Sequence, residues 1–320
     1  MTFQQKNLQL KQLITEKLTP LITGDIIQLD LPYHVNIGDI LIWEGEKTFL
    51  QTLPYRCLHA SSLQTFNPRY KIVESANILI HGGGNFGDLW RCNPVFWHSI
   101  VQRYPHNKII VLPQSIFYQD EKLLAKDAEI FQRHKKITFC LRDKQSLDFA
   151  NHYFPSVENI LVPDMAYYLD MTKWEKHVRK QTDKTLFMYR KDHEIKNHNY
   201  GRVPIPSETR DWPTMERVPY FIKFSLYSQA VLNIFDRLFS ARLKDSFTDV
   251  YYQHILRKRF IQTGVAFLSS YSHIYTTRLH GGILSMLLQK PFTWFDNSYG
   301  KISSFYDTWL SDVEDITLVR

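Results

Sequence analysis

The densest chemistry in the chain is the run Thr276-Thr277-Arg278-Leu279-His280-Gly281-Gly282. An arginine can clamp a carboxylate or phosphate through two parallel N–H bonds, and a histidine two residues on can hold or give a proton near neutral pH. The run lies where a predicted strand, residues 272–276, gives way to a predicted helix, 280–288. A helix start there presents unpaired N–H groups and a positive dipole end to an anion. Arg142 and Arg190 follow predicted strands at 137–141 and 184–189 in the same way. One such arginine alone reads as a surface ion pair. Three at three strand ends describe a pocket for a polyanion.

Two further loops carry candidate chemistry. In Asn36-Ile-Gly38-Asp39, Gly38 permits a tight loop, and Asp39 is either a helix cap or a catalytic carboxylate. In His81-Gly-Gly-Gly-Asn-Phe-Gly87, Gly82, Gly84 and Gly87 satisfy G-x-G-x-x-G. The next strand ends in Val111-Leu-Pro-Gln114 without the acidic residue that would hold a dinucleotide ribose, which argues against NAD. No G-K-[ST] follows the glycines, and no G-x-S-x-G elbow exists, so neither a P-loop nor a serine esterase fits. The glycines either bring backbone N–H groups close to a polar ligand or make a tight turn. Asp192-His193-Glu194 with His198 has the histidines five apart, off a common helix face, and no D-x-D occurs; no metal site is expected.

The elements that must position these groups alternate short apolar runs with helix-like segments, the signature of parallel α/β sheets. Residues 26–29, 77–81, 108–112, 137–141 and 159–162 read as buried strands, separated by helices near 40–52, 92–104, 121–134 and 143–152. Residues 4–18 form an amphipathic opening helix. A second set begins at 184–190, followed by a polar, proline-punctuated stretch at 191–219, helices at 220–243 and 249–269, and strands at 272–276 and 291–295. The expected fold is α/β, with two Rossmann-like doubly wound domains facing a cleft, residues 1–165 and 166–320. Ligands in such sheets sit at the carboxyl ends of strands, where all of the loops above fall.

Composition narrows the class. With 44% hydrophobic and 22% charged residues, the chain builds real cores. Cys57, Cys92 and Cys140 are odd in number and lack C-x-x-C spacing, which points to a reducing, cytoplasmic compartment rather than a disulfide framework. No apolar run approaches a membrane span, and the opening residues are too polar for a signal peptide. The net charge of +7 is spread along the chain without a basic tail, so nucleic acid is not an expected partner.

Taken together, the motifs resemble the polysaccharide pyruvyl transferase family. The likeness runs from Asn36-Ile-Gly-Asp39 through Ile80-His-Gly-Gly-Gly84, Leu112-Pro-Gln-Ser115, Leu141-Arg-Asp143, Val162-Pro-Asp164 and Tyr189-Arg190 to Thr277-Arg-Leu-His-Gly281 and Asp296-Asn-Ser-Tyr-Gly-Lys-Ile302. The resemblance implies a GT-B-like fold and transfer of pyruvate from phosphoenolpyruvate to sugar hydroxyls, in exopolysaccharide or cell-wall glycan synthesis. It implies phosphoenolpyruvate contacts at Arg190, Arg278 and His280, with Arg142 and Gly281 beside them. His280 and Asp39 are the expected catalytic pair, and Asn36, Gly38, Gly83, Gly84, Asn85 and Gln114 the expected loop contacts to donor or acceptor. Phosphoenolpyruvate is then a co-substrate, with no further cofactor and no metal. A lipid-linked acceptor would bring the protein to the inner face of the membrane, with the apolar face of 4–18 as one contact. Trp90, Trp97, Trp212 and Tyr299 are available to stack on sugars. The rival reading is a GT-B glycosyltransferase using a nucleotide sugar.

Overall fold

The computed structural model describes residues 1–190, 208–239, 241–296 and 300–320. Its first sheet holds β1 (Ile26–Leu29), β2 (Cys57–Ala60), β3 (Asn77–Ile80), β4 (Gly83–Gly87), β5 (Ile109–Phe117), β6 (Ile137–Leu141) and β7 (Glu158–Leu161). All pairings are parallel, in the order β2-β1-β3-β5-β6-β7, with β4 added to the far end of β5. Around it lie α1 (Phe3–Leu18), α2 (Ile37–Leu50), α3 (Cys92–Arg103), α4 (Glu121–Gln132) and α5 (Lys144–Tyr153).

The second sheet holds β8 (Thr185–Met188), β9 (Glu208–Arg210), β10 (His273–Thr276), β11 (Phe292–Phe295) and β12 (Ile316–Val319), parallel in the order β12-β11-β10-β8-β9. Its helices are α6 (Pro213–Glu216), α7 (Tyr220–Phe239), α8 (Leu243–Tyr251), α9 (Arg257–Ser269), α10 (Leu279–Leu287) and α11 (Lys301–Trp309). The chain is therefore α/β throughout its described length. The expected helix at 220–243 ends at Phe239, α8 spans the gap before 249, and a π turn at Tyr252–Leu256 leads from α8 into α9, which fills the rest of the expected 249–269. β2, β4, β9, β12 and α11 lay outside the elements anticipated from sequence.

Alternation along the strands explains why the first sheet is covered on both faces. Ile78, Ile80, Ile109 and Val111 face one core with Trp97, Phe131 and Phe154. Their neighbours Leu79, Ile110 and Leu112 face the other core with α1 and α2. Strand side chains alternate with period two, so a sheet buried on both sides needs continuous apolar runs.

The second of these cores does not stop at the first sheet. It continues through Met165–Tyr168 into Leu186, Met188, Ile274, Phe292 and Trp294 of the second sheet and its helices α9 and α10. On α9, a side chain at Gly264 would stand 2.9 Å from Ile37 of α2, so the two helices meet closely. Arg257 of α9 and Glu44 of α2 form a buried ion pair across the same seam. The apolar face of α1 is spent here too: Leu10, Ile14 and Leu18 are buried, Phe3 stacks on Phe292 at 6.0 Å, and Lys6 meets Asp312 at 2.8 Å. That corrects the expectation that this face could touch a membrane, because a face packed in a core has no surface left to offer. Among the described residues, no helix is long and apolar enough to cross a membrane.

Candidate active site

A cavity of about 400 Å³ opens where the carboxyl ends of both sheets converge. From the first sheet it takes His34, Asn36, Asp39, Gly84, Asn85 and Arg142, and from the second Arg190, Arg278, Leu279, His280 and Lys301. Sugar-sized and anionic ligands fit such a strand-end crevice.

Asn36 builds the first wall. It is the N-cap of α2, its Oδ1 accepting from Gly38 N–H at 3.1 Å, while its Nδ2 donates to Asp39 Oδ2 at 2.8 Å. Asp39 thus stands in the first turn of α2 with its rotamer fixed. Burial pushes its carboxyl up, but the charges of His34, His280, His81 and Lys301 together hold it below the usual aspartate range. Gly38 is needed for a close approach: a Cβ there would lie 2.8 Å from His280 Nδ1 and 3.0 Å from its Cγ.

His280 comes from the second wall. β10 ends at Thr276, whose Oγ1 accepts from Arg278 N–H at 3.0 Å, and α10 begins at Leu279. His280 Nε2 hydrogen-bonds Asp164 Oδ2 at 3.2 Å, so its Nδ1 side turns toward Gly38. Asp164 also accepts from Arg142 Nη1 at 2.7 Å and from Ala166 N–H at 2.9 Å. Against the upward push of burial, His280, Arg142 and the Ala166 N–H hold the Asp164 carboxyl far below its ordinary value. Arg142, Asp164 and His280 form one buried chain of polar contacts from the end of the first sheet to the end of the second.

Two of the arginines are fixed by buried side-chain partners. Arg142, 1% exposed, donates through Nε to Ser115 Oγ at 2.9 Å as well as to Asp164. Arg278 donates through Nε and Nη2 to the two carboxylate oxygens of Asp211, a bidentate hold that orients its guanidinium. Arg190 N–H donates to Thr277 Oγ1 at 3.0 Å, which ties the end of β8 to the start of the Arg278 loop. Lys301 begins α11, behind Gly300 with φ 78°, while Asp296 accepts from Ile302 and Ser303 N–H at 3.1 Å each. Trp309 of α11 donates to the Arg142 carbonyl at 2.7 Å, joining the lysine's helix to the arginine's loop.

The glycine run now has a division of labour. Gly83 has φ 130°, closed to most side chains. At Gly84 an added Cβ would lie 2.6 Å from Lys301 Nζ and 3.3 Å from Arg142 Nη2. The missing side chain is the space those two cations enter. Gln114 staples the run from behind, accepting from Asn85 N–H at 3.1 Å and donating to His81 O at 2.8 Å. His81 is itself paired with buried Glu46 at 2.9 Å.

The structure thus brings together Asn36, Asp39, Gly84, Asn85, Arg142, Arg190, Arg278 and His280 as cavity lining. Gly38, Gly83 and Gln114 shape that lining without forming it. Gly281 lies away from it: its N–H is spent on the Arg278 carbonyl at 3.1 Å, and a Cβ would meet Thr276 Oγ1 at 2.6 Å. Its smallness serves packing between α10 and β10, which corrects its expected place at the anion. Trp90, 46% exposed, stands at the cavity mouth, and Trp212 lines the wall. Trp97 is core, bonded to Asp30 at 2.7 Å. Tyr299, and Asp192, His193, Glu194 and His198, lie outside the described residues. Among the described residues no three His, Cys, Asp or Glu side chains gather as a metal site.

Sequence reasoning missed Asp164, Asp211 and Lys301 as site residues. Asp164 had a visible signal, its position directly after β7 in Val162-Pro-Asp164. Lys301 stood inside the run Asp296-Asn-Ser-Tyr-Gly-Lys-Ile302, and Asp211 had no signal beyond its charge.

A family model described as polysaccharide pyruvyl transferase matches residues 36–299. EpsO of Bacillus subtilis, a provisionally named pyruvyl transferase, is 32% identical over 302 residues, covering 93% of this chain and 89% of that one. Pyruvyl transferase 1 of Schizosaccharomyces pombe is 27% identical over 296 residues, covering 88% and 69%. The crystal structure of a functionally uncharacterized Klebsiella pneumoniae protein superposes with a TM-score of 0.64 at 15% identity, covering 97% of this chain and 98% of that one. That last likeness is one of fold.

Proposed function

The chain belongs to the polysaccharide pyruvyl transferase family, and from that premise we propose that it moves pyruvate from phosphoenolpyruvate onto two hydroxyls of a glycan as a cyclic ketal. The observation that carries the reading is the convergence of Arg142, Arg190, Arg278, Lys301 and His280 on one cavity. A donor with a carboxylate and a phosphate demands several cations held together, and this cavity supplies them at the ends of two sheets.

The chemistry assigns roles. Protonation of the donor's C3 methylene makes a methyl group and leaves C2 cationic. One sugar hydroxyl adds to C2 and gives up its proton. The C2–O bond to phosphate then breaks, inorganic phosphate departs with the bonding pair, and the second hydroxyl closes the ring with loss of its proton. Across the reaction one proton enters the methyl group and two leave the hydroxyls, so a group that gives and takes protons is central. His280, oriented by Asp164, is that group. Arg278, Arg190 and Lys301 hold the donor's anions and the leaving phosphate.

Asp39 serves as base for the acceptor hydroxyl in the reading from sequence. Its lowered pKa makes it a weak base, better suited to a standing negative charge beside cationic C2 and protonated His280. The scheme requires no redox cofactor and no metal. Trp90 at the mouth offers a ring face to the glycan. Three free cysteines support a cytoplasmic site of action, and a lipid-linked acceptor would bring the protein to the membrane's inner face through a surface other than α1.

The direct test is phosphate release from phosphoenolpyruvate on adding a candidate glycan. The activity should vanish in His280→Ala and Arg278→Ala. Full activity in either variant, or release of a nucleoside diphosphate from a sugar nucleotide instead, overturns the reading.

A further inference from the structure

Helix α7 carries more apolar surface than its own protein covers. The side facing its own protein carries Ile222, 4% exposed, with Phe221 edge-on to Phe260 at 5.9 Å, beside Ser225, which accepts from Gln229 at 2.9 Å, and Asp236, which accepts from Leu243 and Lys244 N–H at 2.7 and 3.0 Å. Its outward side carries Tyr220, Phe224, Tyr227, Ile234, Phe235 and Leu238, exposed by between 46% and 75%. An ordinary surface helix leaves polar residues on that side. With half-buried Val231, the outward residues fall at 220, 224, 227, 231, 234 and 238. Steps of four and three alternate along the whole helix, the spacing of an a/d seam that receives knobs from a second helix.

We infer that this face is the contact between two copies of the chain, joined about a two-fold axis with α7 against α7. Area, composition and charge favour that occupant. At about 150–250 Å² per aromatic side chain, the exposed apolar surface comes to roughly 800–1000 Å², above the largest patch of a typical monomer and equal to one partner's share of a standard interface. Tyrosine and phenylalanine dominate and charge is nearly absent, as in the centre of a protein–protein contact. A helix lying in a membrane surface would instead present many lysines and arginines along its polar flanks. Here only Lys223 and Arg237 border the seam. An isologous contact is also available to any chain with one self-complementary patch.

The test is the mass of the full chain in solution by light scattering at micromolar concentration, with Tyr227→Lys combined with Ile234→Lys as the variant. The wild type is expected at twice 38.1 kDa and the variant at 38.1 kDa, with the far-UV circular dichroism of the wild type. Tyr227→Phe should remain dimeric, because it keeps the ring. A wild type that stays monomeric overturns the inference, as does a variant that stays dimeric. Monomeric wild type that sediments with vesicles rich in phosphatidylglycerol, and loses this in the variant, overturns it in favour of a lipid surface.

Discussion

His280 Nε2 lies 3.2 Å from Asp164 Oδ2, and the two residues stand 116 positions apart in the chain. Asp164 follows the last strand of the first sheet, and His280 sits in the first turn of α10 in the second. The bond orients the imidazole so that its other nitrogen addresses the cavity beside Asp39.

Asp164→Asn tests that orientation. The amide keeps the shape of the side chain but removes the charge that His280 and Arg142 both face. kcat should fall on the order of a hundredfold or more with KM for phosphoenolpyruvate little changed. Asp164→Ala should also cost about 3–5 kcal/mol of stability, because buried Arg142 loses its counter-ion. Steady-state kinetics and denaturant melts read the two effects separately.

Lys301 should act on the donor. Lys301→Gln removes one charge-assisted contact worth about 1.5–3 kcal/mol, an expected ten- to hundredfold rise in KM for phosphoenolpyruvate. Its melting temperature should stay close to that of the wild type, and an unchanged KM would remove Lys301 from the donor site.

Two glycines three residues apart should fail differently. In Gly84→Ala the new methyl meets the far end of the Lys301 side chain rather than backbone, so the protein should fold and lose donor affinity. In Gly87→Ala the methyl would lie 1.7 Å from the Phe117 carbonyl oxygen at φ 141°, where nothing can give, so the loss should be of stability. Binding titrations and melts on both variants separate the outcomes.

Asp30 gives a pH signature. Burial raises its carboxyl to about 6 from 3.8, despite bonds from Asn93 and Trp97. A folded pKa above the unfolded one means that its stabilising contribution is complete below about 3.8 and is lost as pH rises through about 6. Asp30→Asn cannot ionise. The difference in melting temperature, variant minus wild type, should therefore climb between about pH 4 and pH 6 and level off above, and a flat difference would refute the buried carboxylate.

The buried strands were legible because both faces of the first sheet are covered, which forces runs such as Ile78, Leu79 and Ile80. The strands that escaped notice are short or at edges. Cys57–Ala60 is half-exposed and mixed in character, and Glu208–Arg210 is three residues of polar side chains. In the site, residues that carry their own chemical signal, such as Arg278, His280 and Asp39, could be picked out one by one. Asp164 stood in the visible run Val162-Pro-Asp164, but it and Asp211 carried no sign of their role, because an aspartate after a strand or before a helix reads as a cap. Asp164 does cap Ala166; its bond to His280 spans 116 residues. The apolar face of α1 was equally visible, but nothing local could say that Phe292 would cover it.

The single apolar core running from Leu10 and Leu79 to Ile274 and Trp294 has a consequence for how the enzyme would handle its ligands. Two domains that open and shut must repeatedly wet and dry the surface between them, and here that surface is oil. Opening would also pull Arg257 from Glu44. The cavity is accordingly assembled at the moment of folding, with Arg142, Asp164 and His280 already in register. On the proposed reading, a donor would then spend little of its affinity on organising the site.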